Sequence, residues 1–395
     1  MIDYLKKKAE ELADTLIEPV WKHVLAWPWK ARALVLLIGL GIVYVFSFPA
    51  SAKFRWSITS NIMRVAWAGE SRIPISSNIS SRMKETVSRL SATLESNLDF
   101  PTNTNRSDIT PWTIAQATLA NYGISNTLDA KQITSFVRST TETTCGCWRE
   151  IPGNLGKPRN IFVSGWVLLA FAKIGEHGTR AEFRFLIDEQ HQEGWWSVFP
   201  VAHESPYASS YGTAWALLGL NGQFTRGFVD VSDARRVSAA IQKGSAWLLA
   251  QREQGSRWKD YPLLRNGKAS ESISGLVLHA LHQTIPKQLQ QVDREWLDNL
   301  PTVSISAGDI EHPYFYFMTK DGYADDSFVQ TRLPWLLVGT ADAYRNGSLV
   351  QRAKALTWLE KALDQRSVVT ADTAPDDWLR AELLYAIRYV LERSQ

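Results

Sequence analysis

Strongly apolar stretches alternate with amphipathic, more polar ones along most of this chain. Six stretches are apolar enough to be inner helices. They begin near Asp108, Asn160, Tyr207, Ser270, Asp326 and Asp376, at intervals of 47 to 63 residues. Asp, Ser and Asn stand where N-caps belong. Between them, near 76–96, 126–139, 178–192, 232–252, 288–299 and 348–364, the pattern is amphipathic and predicts outer helices. Gly123, Gly175 and Gly347 mark helix ends or turns. Alternating β-branched runs are nearly absent. One helical-hairpin unit used six times predicts an all-α fold over 76–395. Two architectures share this pattern, a closed (α/α)6 toroid of six hairpins and an open α-solenoid.

A short element occurs twice within this alternation. Residues Lys243 to Trp258 read K-G-S-A-W-L-L-A-Q-R-E-Q-G-S-R-W. A helix bearing Trp247 and Leu248 runs into a Gln, a Gly-bearing turn and a Trp. Upstream, Phe185, Leu186, Gln190, Gly194, Trp195 and Trp196 keep the same order at nearly the same spacing. A Gln amide suits the free backbone groups where one helix ends and the next begins, and a Trp packs over that junction. The element resembles the QW repeat of the terpene cyclase and protein prenyltransferase superfamily. The resemblance is specific at 181–196 and 243–258, and it favours the closed toroid.

The N-terminal part is different in kind. Residues 33–48 carry no charge, and Trp27, Trp29 and Trp56 flank them as interfacial anchors do. A single transmembrane helix is predicted over 33–52. Residues 1–32 form an arm in which Leu5, Ala9, Leu12 and Leu16 share one helical face, and 53–75 form a linker. More basic residues precede the span (Lys6, Lys7, Lys8, Lys22, Lys30, Arg32) than follow it (Lys53, Arg55, Arg64, Arg72). This bias places the large domain outside a bacterial inner membrane, with a cytoplasmic domain as the alternative.

Composition adds limits. The chain has 395 residues, 45% of them hydrophobic, which is ample for a large core. A net charge of +3, without basic runs among aromatics, gives nucleic-acid binding no electrostatic support. The 17 Trp can fill gaps between helices or line a ligand cavity. Cys145 and Cys147, in C-G-C-W, read as free thiols in a loop, with a local disulfide or half a metal site as alternatives.

The activities implied by the resemblance do not carry over. A class II terpene cyclase needs D-x-D-D, but in D-G-Y-A-D-D-S-F, which also holds Asp321, Tyr323 stands two before Asp325. The D-D-x-x-D of class I fails because Ser327, Phe328 and Val329 follow Asp326. A prenyltransferase holds zinc with Asp, Cys and His. Asp309, Glu311 and His312 lie together, but no cysteine is near them, so neither a metal nor a cofactor is expected.

The starts of the inner helices favour carboxylates through their free N–H groups and dipoles. Candidate catalytic residues there are Asp325, Asp326, Glu271, Glu204 and His203. His203 and Glu204 beside an aromatic helix suit acid–base work on a sugar or lipid-linked substrate. Candidate ligand-binding residues are Trp112, Trp166, Tyr207, Tyr211, Trp215, Arg332 and Glu382, with Arg332 and Glu382 paired across adjacent repeats. Each also has a plainer use as cap, ion pair or loop residue. The first function expected is a membrane-anchored binding or scaffold module. Its partners would be the lipid bilayer and either an apolar, isoprenoid-like ligand or a protein of a membrane complex. The second is a divergent enzyme on a lipid-linked, terpenoid or glycan substrate.

Overall fold

The computed structural model describes residues 52–69, 72–98, 110–124, 129–149, 159–199, 207–263, 268–301, 305–311, 330–369 and 376–395. The chain divides into two compact units, Met1–Met63 and Arg64–Gln395. The predicted arm and the predicted anchor, apart from Ala52, lie outside the described residues. Among those described, no helix is long and apolar enough to cross a membrane. The stretch predicted as a linker carries helix α1 (Ala52–Ala68).

The second unit is largely helical. Its helices are α2 (Ser77–Leu98), α3 (Pro111–Asn121), α4 (Ala130–Ser139), α5 (Ile161–Ile174), α6 (Arg180–Asp188), α7 (Ser210–Thr225) and α8 (Val231–Ala250). They continue with α9 (Glu271–Thr284), α10 (Gln290–Asp298), α11 (Arg332–Ala343), α12 (Leu349–Leu363), α13 (Arg366–Val369) and α14 (Asp377–Glu392). Two antiparallel pairs of very short strands occur among them. β1 (Trp258–Lys259) pairs with β2 (Ala269–Ser270), and β3 (Ile310–Glu311) pairs with β4 (Gln330–Thr331).

The inner helices α3, α5, α7, α9, α11 and α14 each pack on the next, and α14 packs back on α3. That last contact closes the ring, so of the two architectures allowed by the pattern the chain adopts the closed one. The outer helices lie against this ring: α2 on α14 and α3, α4 on α3 and α5, α6 on α5 and α7, α8 on α7 and α9, and both α10 and α12 on α11.

Local sequence accounts for the inner and outer roles. In α5 the Asn160 side chain accepts the Phe162 N–H and caps the start, and Gly175 at φ +85° ends it. Every residue from Ile161 to Leu168 is buried, so this helix has no solvent face. Burying a side chain such as Leu168 contributes about 1.5–3 kcal/mol. By contrast α6 opens with a capping box, Thr179 with Glu182, and buries Phe183, Phe185 and Leu186 on one side.

Two inner pairs approach unusually closely. A Cβ on Gly165 would lie 2.3 Å from the Trp215 carbonyl oxygen, and one on Gly275 would lie 2.2 Å from that of Trp335. Glycine inside a helix costs about 1 kcal/mol relative to alanine. Here it permits the backbone contact that joins α5 to α7 and α9 to α11.

Three expectations need correction. Helix α3 starts behind Thr110 rather than at Asp108, because the Thr110 hydroxyl accepts the Thr113 N–H and Pro111 takes the first position. Helix α11 starts at Arg332 rather than near Asp326, because Thr331 is held in a strand opposite Ile310. Cys145 and Cys147 are joined by a disulfide rather than free. The bridge between Glu142 and Cys147, with Gly146 at φ +64° between the cysteines, turns the chain back on itself. It leaves the two Cα atoms 5.2 Å apart, within disulfide range.

Candidate functional site

Three of the hairpins are locked by a tryptophan. The Trp196 indole N–H donates to the Leu186 carbonyl at 2.6 Å, and that of Trp258 to Leu248 at 2.7 Å. Both carbonyls belong to the last turns of outer helices, where acceptors lack helical partners. Gln190 adds a second tie, donating to the carbonyls of Gly194 and of Ala240 in the next outer helix, both at 2.9 Å. Trp148 makes the same clamp to Val137 at 3.0 Å, although no Gln precedes it.

At the N-terminal ends of the inner helices a second device recurs. The hydroxyl of the residue just before one helix donates to a carboxylate supplied by the following unit. Ser209 Oγ donates to Asp260 Oδ1 at 2.6 Å, and the Tyr211 N–H reaches the same oxygen at 3.1 Å. Glu311 takes the Ser270 hydroxyl, the Glu271 N–H at 3.1 Å, and the Ser272 N–H and hydroxyl at 2.9 and 2.6 Å. Glu382 takes the Thr331 hydroxyl and the Gln116 amide. Burial pushes Asp260 up to about 6, against the hydrogen bonds from Ser209 and the Tyr211 N–H. Burial likewise pushes Glu382 up to about 7, against the Thr331 hydroxyl and the Trp335 indole.

Between these ends the ring is filled by aromatic rings. Trp166 and Trp215 stack at 3.7 Å between centroids, and Trp335 meets Trp215 edge-on at 5.4 Å. Trp166 and Trp335 touch although α5 and α11 are not neighbours in the ring, so these side chains meet across its axis. Tyr211 and Phe162 extend the cluster to Trp112 and Trp378. All three central Trp are buried. The aromatics expected to line a hollow occupy it instead.

Open space lies at the C-terminal ends of the inner helices. A cavity of about 220 Å³ is walled by Leu119, Leu169 and Leu218 on its apolar side and by His279, Tyr385 and Tyr389 on its polar side. Lys173, Arg226 and Arg388 also border it. His279 Nδ1 is 2.8 Å from Asp342 Oδ2, and His279 Nε2 is 3.0 Å from the Tyr385 hydroxyl. The other Asp342 oxygen accepts the Tyr389 hydroxyl at 2.6 Å and the Arg393 guanidinium at 2.7 Å. Burial would raise the Asp342 pKa, but His279, His282 and Arg393 outweigh it and hold it below the ordinary carboxylate value. Burial first, and the Asp342 charge second, raise Tyr385, which keeps it a neutral phenol.

Among the described residues, none of those singled out from sequence borders this cavity. Glu271 and Arg332 form an ion pair, Nε to Oε2 at 3.0 Å, with Glu311 and Arg257 alongside. The expected Arg332–Glu382 pair is not formed. Arg332, the first residue of α11, meets the start of α9, whereas Glu382 sits further along α14 in the buried interior. Glu311, grouped in sequence with a metal triad, serves as a cap. Tyr207 is half-buried just before α7. Asp325, Asp326, Glu204, His203, Asp321 and His312 lie outside the described residues. The disulfide leaves Cys145 and Cys147, which stand beside Glu142, without thiolates for a metal. The Asp342–His279–Tyr385 chain was missed. The signal for it is a lone polar residue within an otherwise apolar inner helix, as in L-V-L-H-A-L and G-T-A-D-A.

No family model and no curated protein matches the chain. Among solved structures, a type II terpene cyclase from Scytonema, in complex with geranylgeranyl dihydroxybenzoate, aligns over 80% of this chain and 99% of its own, at 13% identity and a TM-score of 0.49. A protein from Actinoplanes aligns over 78% and 99%, at 15% identity and a TM-score of 0.42. Likenesses of this degree assign no activity to the chain.

Proposed function

We propose that this protein is a membrane-anchored binding module whose cavity at the C-terminal ends of the inner helices takes the apolar or ring-bearing end of a ligand. One observation carries this: the ring's interior is packed with tryptophan, while the opposite end keeps an open space with one apolar and one polar wall. Size narrows the ligand. A cavity of roughly 150 Å³ holds benzene, so 220 Å³ takes a single ring or a chain end and excludes a whole polyprenyl chain. The Cys145–Cys147 disulfide supports a large domain on the oxidising side of the membrane. A protein partner in the membrane would dock around the same module.

Native mass spectrometry of the full chain from detergent tests the cavity. A retained small molecule should disappear in Leu218→Trp, which fills the apolar wall. Retention unchanged by that substitution, or no small-molecule uptake by the native chain, would overturn the proposal. A second function, an enzyme, is favoured by Glu382, a buried acid raised to about 7 beside the Trp335 indole. Turnover lost in Glu382→Gln with the fold intact would support it.

A further inference from the structure

The polar wall of the cavity has the parts of a proton relay. Asp342 is fixed from two sides and stays charged, as the Tyr389 hydroxyl and Arg393 hold one oxygen and His279 holds the other. His279 is buried, and both its ring nitrogens have protein partners. Tyr385 borders the same cavity, 3.0 Å from Nε2. A group that transfers protons, a base behind it and an orienting acid thus follow one another at hydrogen-bond distance.

Resting on the cavity reading above, we infer that the Asp342–His279–Tyr385 chain takes the proton of a phenolic or enolic ligand and holds that ligand as its oxyanion. The ligand's O–H proton passes to the Tyr385 oxygen as the Tyr385 proton passes to His279 Nε2. The ligand O–H bond is replaced by an Nε2–H bond, and Tyr385 ends as a neutral phenol donating to the oxyanion. The new imidazolium lies against the Asp342 carboxylate, so no unpaired charge is left buried.

Chemistry selects the class. An imidazole titrates near 6.5 and a phenol near 10, a gap that favourable charges can close. An aliphatic alcohol is several units too weak an acid, and a carboxylic acid arrives already ionised. The walls agree: Tyr385 and Tyr389 stack at 6.0 Å between centroids, opposite the leucines, in a space sized for one ring. Lys173 and Arg226 border the cavity, and neither meets a carboxylate among the described residues. Arg388, also at the rim, is shared with Glu392 and the Ala120 and Tyr122 carbonyls. The other titratable groups around His279 are His282, on its own helix and paired with Asp293 at 2.8 Å, Tyr389 from α14, and Arg393 just beyond it.

The test uses para-nitrophenol, whose neutral and ionised forms absorb differently, with the full chain at a pH below the ligand's own pKa. Uptake is followed by equilibrium dialysis and ionisation by the phenolate band. The bound ligand should show an apparent pKa lowered by at least about one unit, tenfold in the ionised fraction. Tyr385→Phe and His279→Gln should lose the phenolate band from whatever ligand stays bound. Binding as neutral phenol, or a phenolate band that survives both substitutions, overturns this inference alone. No uptake, or uptake unaffected by Leu218→Trp, overturns the cavity reading together with it.

Discussion

The two ends of the ring use buried carboxylates in opposite ways. At the N-terminal ends Asp260 and Glu382 receive hydroxyl and amide donors, and burial raises both. At the C-terminal ends Asp342 faces an imidazole and a guanidinium, and it is lowered. Both ends desolvate the acid, so the partners decide the charge: hydroxyl and amide donors alone leave the proton on, while the histidines and the Arg393 guanidinium take it off. The first end is a set of latches between successive units. The second stores a fixed negative charge behind a histidine at the edge of open space.

The sharpest way to break this comparison is to force the latched end apart. In Gly275→Ala the new Cβ would lie 2.2 Å from the Trp335 carbonyl oxygen, and backbone has to move. We expect a loss at or above about 3 kcal/mol, the upper end of overpacking costs, in urea unfolding. Gly222→Ala at the cavity end, where the one tight contact of the new Cβ would be the flexible Leu169 terminus at 2.9 Å, should cost well below that.

The second effect is a pH dependence with a defined sign. The folded-state value of Glu382 is raised from 4.5 to about 7, so its contribution is full below 4.5 and is lost as pH rises through about 7. At ~1.4 kcal/mol per unit this amounts to about 3 kcal/mol. Unfolding of the native chain between pH 4 and 8 should show this fall, and Glu382→Gln should flatten it. An identical slope in both proteins would show that the latch is not protonated in the fold. The smallest expected effect concerns the clamps. Trp258→Phe removes the donor to the Leu248 carbonyl and should cost about 1–3 kcal/mol, with the ring still closed by circular dichroism.

The scaffold was legible because its signals are local. An Asn before I-F-V-S-G-W, a Gly after it and a Trp ten residues beyond Leu186 or Leu248 each act within one unit. The third clamp is less legible because Trp148 follows C-G-C instead of a Gln, and the indole needs only a helix end to reach. The sites were not legible because their members belong to different units. Ser209 and Asp260 are 51 residues apart, as are Thr331 and Glu382. His279 finds Asp342 63 residues on and Tyr385 106 residues on. Only the packing of successive units gives such distances meaning. The same limit applies to Arg332, whose partner Glu271 comes from the preceding inner helix rather than the following one.

The stacked pair at the ring's centre also gives the protein an optical signature. Trp166 and Trp215 lie 3.7 Å apart in nearly parallel planes, with Trp335 edge-on to them, so their electronic transitions couple. Tryptophans fixed in this way give a near-ultraviolet circular dichroism band that depends on their mutual orientation. If the ring loosens while its helices persist, this band fades before the far-ultraviolet signal does. The chromophores report on the seam between α5 and α7 without any label.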